Sequence, residues 1–168
     1  MKRIFLGIIS SVFLFSCNND SNVEHVERAF YYWKGNSSID DADANELKEL
    51  KVRKLYVKLF EVDYNEVQGN FPFEKNRPDR YELEKLDSVT IIPTIFIKNG
   101  IFQYNDEKSL DLLADNIVFL IDKYSKEQYG ASEKIFDYDE IQIDCDWTKS
   151  TKDKYFYLLK KIKALSIY

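Results

Sequence analysis

The sequence predicts an α/β fold built on a parallel sheet of about four βα units, and three observations carry that expectation. Segments rich in Tyr, Phe, Val and Ile recur at residues 29–33, 54–62, 89–97 and 140–146, each with the length and composition of a strand. Helical spacing of apolar residues follows several of them. The stretches between the strands are also far longer than a hairpin loop and suit crossovers between parallel neighbours. The 168 residues are 45% hydrophobic and 32% charged, a globular balance that excludes a low-complexity or disordered chain.

Before the first strand comes an export signal, residues 1–16. Lys2 and Arg3 precede an apolar run at 4–15, broken only by Gly7, Ser10 and Ser11. Helix of that length reaches about 18 Å, against about 30 Å of hydrocarbon in a bilayer. The run therefore reads as the core of a signal peptide and not as a membrane span. Leu14-Phe15-Ser16-Cys17 resembles a bacterial lipobox, with Cys17 as the lipidated residue. Residues 17–28 then form the anchor and a polar tether that includes Asn18-Asn19-Asp20-Ser21-Asn22. Acylation would hold the chain to a membrane; with Cys17 so used, Cys145 is left as a buried free thiol.

The remaining elements follow in order. The aromatic strand Ala29-Phe30-Tyr31-Tyr32-Trp33 closes at Gly35-Asn36, and residues 43–50 read as a short helix with acids in its first turn. After the strand at 54–62, residues 63–87 are irregular, with Pro72, Pro78 and at most one short helix near 81–86. The third strand, at 89–97, ends on the turn pair Asn99-Gly100. Leu110, Leu113, Ile117, Leu120, Ile121 and Tyr124 share one helical face. After the fourth strand, Ser150-x-x-Asp153 resembles a capping box that opens a helix carrying Tyr155, Leu158, Leu159, Ile162 and Leu165 on one side. Ser166-Ile167-Tyr168 reads as the opening of a fifth strand, so residues 29–168 are expected to be one domain truncated at that point.

Two segments carry a family resemblance: residues 55–63 (LYVKLFEVD) and residues 140–148 (EIQIDCDWT). They are similar to strands two and four of an uncharacterised bacterial lipoprotein family whose members look like glycoside-hydrolase-type (β/α)₈ barrels. Tyr31-Tyr32-Trp33-Lys34, Ile92-Pro93-Thr94-Ile95-Phe96-Ile97 and residues 150–156 fit the same pattern. The resemblance implies a half TIM-type barrel, the N-terminal half. The 152 residues after the signal hold about four of the eight units of a barrel of about 250 residues. An open half-sheet leaves its first and last strands unpaired outside, so a C-terminal half or a second copy of the chain is expected to complete it. The alternative is a thioredoxin-like α/β module, since Ile92-Pro93-Thr94 with Asn99-Gly100 resembles that family's proline strand. Thioredoxin chemistry needs a Cys-x-x-Cys pair, and Trp33-Lys34-Gly35-Asn36 has no cysteine, so this module would be a non-catalytic interaction module; a non-functional truncated gene product is the other alternative.

Strand alternation supplies the candidate site. Gln142, Asp144 and Asp146 share one face of the fourth strand, while Ile141, Ile143, Cys145 and Trp147 share the other. On the second strand, Leu55, Val57 and Leu59 are expected to face helices and Tyr56, Lys58 and Phe60 to point inward. Lys58 is then expected to meet Asp144, because alternate barrel strands share a layer. Asp146, Asp63 and Trp33 are expected on the C-terminal rim. The functional reading is carbohydrate binding, with Trp33 as a stacking platform and Asp144 and Asp146 as the candidate catalytic carboxylates. The structural reading makes Asp144 and Lys58 a buried ion pair that fixes register. Asp144-Cys145-Asp146-Trp147 is also similar to the fourth-strand signature of family 18 glycoside hydrolases, but Thr148 stands where that family has its catalytic Glu. A hydroxyl of very high pKa cannot replace it as the acid, so the resemblance argues against hydrolysis.

Other classes are set aside on composition. Loss of Lys2 and Arg3 with the signal takes the formal charge from −5 to −7, and an acidic chain without a basic cluster is unsuited to nucleic acid. His25 is the only histidine; it lies in the tether and is assigned no role. Asp41-x-Asp43-x-Asn45 echoes a calcium loop but has Glu46 and Val52 at the positions that need Gly and Glu. No metal or cofactor is implied. The expected address is the bacterial envelope, by lipid anchor and most naturally at the outer membrane.

Overall fold

The computed structural model describes residues 26–33, 38–73, 75–76, 79–86, 88–126 and 138–166. The signal segment, Cys17, His25, Lys34 and the last two residues lie outside them. The elements run β1 (Ala29–Tyr32), α1 (Asp41–Glu49), β2 (Lys54–Asn65), β3 (Gly69–Phe73), α2 (Arg80–Glu84), β4 (Thr90–Ile97), α3 (Gly100–Tyr104), α4 (Glu107–Lys126), β5 (Gln142–Asp144) and α5 (Lys152–Leu165). β1, β2, β4 and β5 form a parallel sheet in that order. These four strands curl through 183° as a half-barrel with helices. The helices contribute to a single core on one side of the sheet. This is the half-barrel the sequence predicts. Pro93 sits in mid-strand opposite Val57, and Asn99-Gly100 opens a helix where a turn was expected, which removes the basis of the thioredoxin-like alternative.

Local chemistry explains most boundaries. α1 opens on a reciprocal cap: the Asp43 amide donates to Asp40 Oδ1 at 2.8 Å and the Asp40 amide to Asp43 Oδ2 at 3.4 Å. That cap accounts for Asp43 of the run that echoed a calcium loop, while Asp41 pairs with Lys85 Nζ at 2.7 Å. α4 buries Leu110, Leu113, Ala114, Ile117, Ile121 and Tyr124, the face its spacing predicts, and α5 buries Tyr155, Leu158 and Ile162. Each such side chain, fully withdrawn from water, contributes about 1.5–3 kcal/mol. The expected capping box at Ser150 and Asp153 does not form. Thr151 takes the cap position; its hydroxyl donates to Asn99 Oδ1 at 2.6 Å and accepts from the Thr148 amide at 2.9 Å.

Residues 63–87 are more ordered than their composition suggests. β2 runs on to Asn65 and turns back as β3, which pairs antiparallel with Glu61–Asn65. Asn65 Oδ1 closes the turn by accepting from the amides of Val67 and Gln68 at 3.0 and 2.7 Å. Gly69 follows at φ +68°, where a side chain would be strained. β4 occupies one edge of β2, so β1 and β3 share the other: β1 along Lys54–Val57 and β3 along Glu61–Asn65. β5 is shorter than the expected 140–146. It pairs only with Thr94 to Phe96 of β4, beginning one residue past Pro93, which has no N–H to offer.

A β-bulge sets the rest of the geometry. The β2–β4 register skips between Lys58 and Phe60, so Leu59 and Phe60 are both fully buried. Before the bulge Leu55 and Val57 face the helices; after it Phe60 and Val62 do. Phe60 therefore does not point inward as expected. Its ring meets Tyr124 of α4 edge-on, 5.9 Å between centroids. The same shift turns Glu61 and Asp63 onto the inner face.

Candidate functional site on the inner face

Strand register arranges the inner face in rows. Tyr31, Tyr56 and Ile92 align in the first, and Lys58, Thr94 and Gln142 in the second. Glu61, Phe96 and Asp144 align in the third. Parallel partners point to the same side of a sheet, so each row is a line of neighbouring side chains. Trp33, two residues past Tyr31, joins the second row. Asp63, Lys98 and Asp146 follow at the C-terminal ends of the strands, the end at which barrel enzymes carry their sites.

The aromatic residues form a ladder. Tyr31 stacks on Tyr56, with centroids 4.7 Å apart and planes 26° from parallel, and on Trp33 at 6.1 Å and 25°. Tyr31 is 53% and Trp33 39% exposed, so both rings are partly open to solvent. Lys58 Nζ lies 5.6 Å from the Trp33 ring centre, within the range of a cation–π contact.

Lys58 does not pair with Asp144 as expected. Its ion pair among the described residues is with Glu61, Nζ to Oε1 2.6 Å, and the side chains are 9% and 14% exposed. The bulge is the cause: it brings Glu61 onto the face of Lys58 within the same strand, while Asp144 lies beyond β4. Glu61 is the site residue that alternation alone conceals. Its signal in the sequence is Leu59-Phe60, two large apolar residues in succession where strict alternation allows one.

The remaining candidates sit where the rim was expected. Asp63 accepts from Lys98 Nζ and from the Tyr64 amide, each at 2.8 Å. The Lys98 hydrogen bond holds its carboxyl below the usual range, against a smaller opposing effect of burial. Asp144 is half-buried and Asp146 exposed. Cys145 between them is a free thiol, half-buried where full burial was expected. Burial first, then the charges of Asp146 and Asp144, push its pKa up to about 12, which makes it inert as a nucleophile near neutrality. Trp147 faces the helices, stacked on Tyr155 at 6.1 Å and 19°. Thr148 belongs to the turn before α5, its amide donating to Thr151.

At the opposite end of the strands Glu140 accepts from Lys54 Nζ at 2.8 Å and from the Tyr56 hydroxyl at 2.7 Å. Lys54 first, then Tyr56, draws the Glu140 carboxyl below its ordinary range. This network ties the approach to β5 back to β2 across β4, and no local pattern announces it. Among the described residues no group of three or more His, Cys, Asp or Glu is placed to hold a metal ion. None of their helices is long and apolar enough to cross a membrane.

Partly exposed aromatic rings beside carboxylates and ammonium groups can grip a ligand that offers both C–H faces and hydroxyls. A proton-transfer pair is less well served, because Glu61 is tied to Lys58 and Asp63 to Lys98. No protein-family model, curated protein or solved structure matches this chain.

Proposed function

We propose that this chain is a bacterial envelope lipoprotein, anchored through Cys17 and most naturally at the outer membrane, whose half-barrel binds carbohydrate without hydrolysing it. The observation that carries the binding reading is the Tyr56–Tyr31–Trp33 ladder, its exposed rings opening toward a rim that bears Asp63, Lys98 and Asp146. Sugar rings stack their C–H faces on such planes while carboxylates take up their hydroxyls. Thr148, in the place of a catalytic Glu, supports the non-hydrolytic part. The reading makes the chain a relic of a glycosidase-like barrel.

A glycan array probed with the full chain in nonionic detergent tests this. Binding is expected, with a loss of about tenfold or more in Trp33→Ala and Asp146→Ala; absence of binding to every glycan overturns it. Labelled palmitate is expected in the wild-type chain and not in Cys17→Ala, and equal labelling of both refutes the anchor. The outer edges of β1 and β5, which end the strand order among the described residues, favour a second reading, a protein-interaction module of the envelope.

A further inference from the structure

The two ends of the half-barrel are complementary in shape and charge. β1 ends the sheet on one side and β5 on the other. Beside β1, on the helix side, a cavity of about 150 Å³ is lined by Phe30, Ile39 and Leu47 together with Asp43 and Glu46. Beside β5, also on the helix side, one of about 310 Å³ is lined by Ile141, Ile143, Leu159 and Ile162 together with Asp139 and Lys163. Phe30 remains 43% exposed on the β1 edge, and the β5-side cavity is a slot large enough to receive an aromatic ring.

The helices that flank these edges are oppositely charged. α1 with its cap carries Asp40, Asp41, Asp43, Glu46 and Glu49 against Lys48, a formal −4. α5 carries Lys152, Lys154, Lys160, Lys161 and Lys163 against Asp153, a formal +4. Within one copy these helices belong to opposite ends of the arc. In a closed barrel the helix after the last strand lies beside the helix after the first.

We infer that two copies of this chain close into one eight-stranded parallel barrel. The strands of one copy turn through 183°, so two arcs make one full turn. A two-fold axis along the strand direction preserves that direction, so β1 of each copy pairs in parallel with β5 of its partner. Both junctions are then the same contact made twice, as closed two-fold symmetry requires. Each junction joins the two strands that end the order among the described residues, seats the β1 edge with Phe30 against the slot beside β5, and sets acidic α1 against basic α5. The second inner row of each copy, with Trp33 and Lys58, then lies beneath a C-terminal rim that carries Asp63, Lys98 and Asp146 from both copies, so the binding site is incomplete in one copy alone.

Native mass spectrometry and sedimentation equilibrium of the full chain in nonionic detergent test the closure. The wild-type chain is expected as a dimer. Glu46→Lys with Glu49→Lys takes α1 from a formal −4 to zero, and Lys160→Glu with Lys163→Glu takes α5 from +4 to zero; all four side chains are exposed. Each altered chain alone is expected to dissociate about tenfold or more readily, because the attraction between α1 and α5 is lost at both junctions. An equimolar mixture of the two is expected to form a heterodimer, because one of its junctions keeps α1 at −4 against α5 at +4. Circular dichroism confirms that each variant folds; should an altered chain fail, Glu46→Gln with Glu49→Gln supplies the milder test, with a smaller loss. A wild-type monomer at roughly 100 μM, an assembly larger than a dimer, or a dimer indifferent to both charge changes overturns the closure. Glycan binding by a monomer would overturn the closure and leave the carbohydrate reading standing; a charge-sensitive dimer that binds no glycan would do the reverse.

Discussion

The sharpest stability test of the inner face is Lys58→Met, which keeps the length of the stem and removes the charge. Lys58 and Glu61 lie 2.6 Å apart with side chains 9% and 14% exposed. Taking one partner from a buried pair costs about 3–5 kcal/mol, because the other charge stays desolvated and unmatched. Here Glu61 keeps some contact with water, which reduces the expected cost to about 2–3 kcal/mol. Loss of the ammonium over Trp33 contributes about 0.5 kcal/mol of that. For a domain of this size the loss corresponds to a fall in Tm of about 5–10 °C. Urea denaturation followed by circular dichroism at pH 7 measures it in Lys58→Met, in Glu61→Gln and in the double variant. The double variant, with neither charge left, is expected to be more stable than the sum of the single losses predicts by about 1–2 kcal/mol. A Lys58→Met chain within about 0.5 kcal/mol of wild type, or strict additivity in the cycle, refutes the claim that the bulge builds a buried pair.

Two further outcomes follow from local chemistry. With its pKa at about 12, Cys145 in a Cys17→Ser chain is expected to react with iodoacetamide about a thousandfold more slowly at pH 8 than an ordinary thiol. The charged thiolate is the form that burial opposes, so the rate should climb about tenfold per pH unit past pH 9; a plateau by pH 9 would show a normal thiol. Asp40→Ala removes the acceptor for the Asp43 amide at 2.8 Å and is expected to cost about 1 kcal/mol in thermal or urea unfolding. A loss below about 0.3 kcal/mol would mean the cap does not contribute to stability.

Much of the fold is legible in the sequence because its signals are local. The apolar face of α4 repeats with helical period from Leu110 to Tyr124, and β4 is a nearly unbroken run of Ile around Pro93 and Thr94. Asp63 and Asp146 fall on the rim because strand direction and alternation place them there, whereas Trp33, expected beside them, sits lower, level with Lys58 in the second row. Lys58 and Phe60 show the limit. Tyr56-Val57-Lys58-Leu59-Phe60 alternates well enough to suggest a regular strand, yet the bulge reverses the alternation after Lys58. Phe60 then enters the core against Tyr124, and Glu61 takes the place beside Lys58 that Asp144 was expected to hold. β3 is hidden for a different reason. Pro72 discourages a strand assignment, but β3 pairs with β2 alone among the described strands, and a proline is tolerated at such an edge.

By itself, then, the sequence determined the alternation of strands and helices and the parallel sheet, because each depends on neighbours a few residues apart. Only the tertiary structure decided which carboxylate balances Lys58, that Glu140 joins Lys54 and Tyr56 across 86 and 84 residues of chain, and that four strands curl through half a turn. Those outcomes depend on strand register and curvature. A single skipped residue resets register for everything beyond it, and curvature is a property of the assembled sheet that no short segment contains.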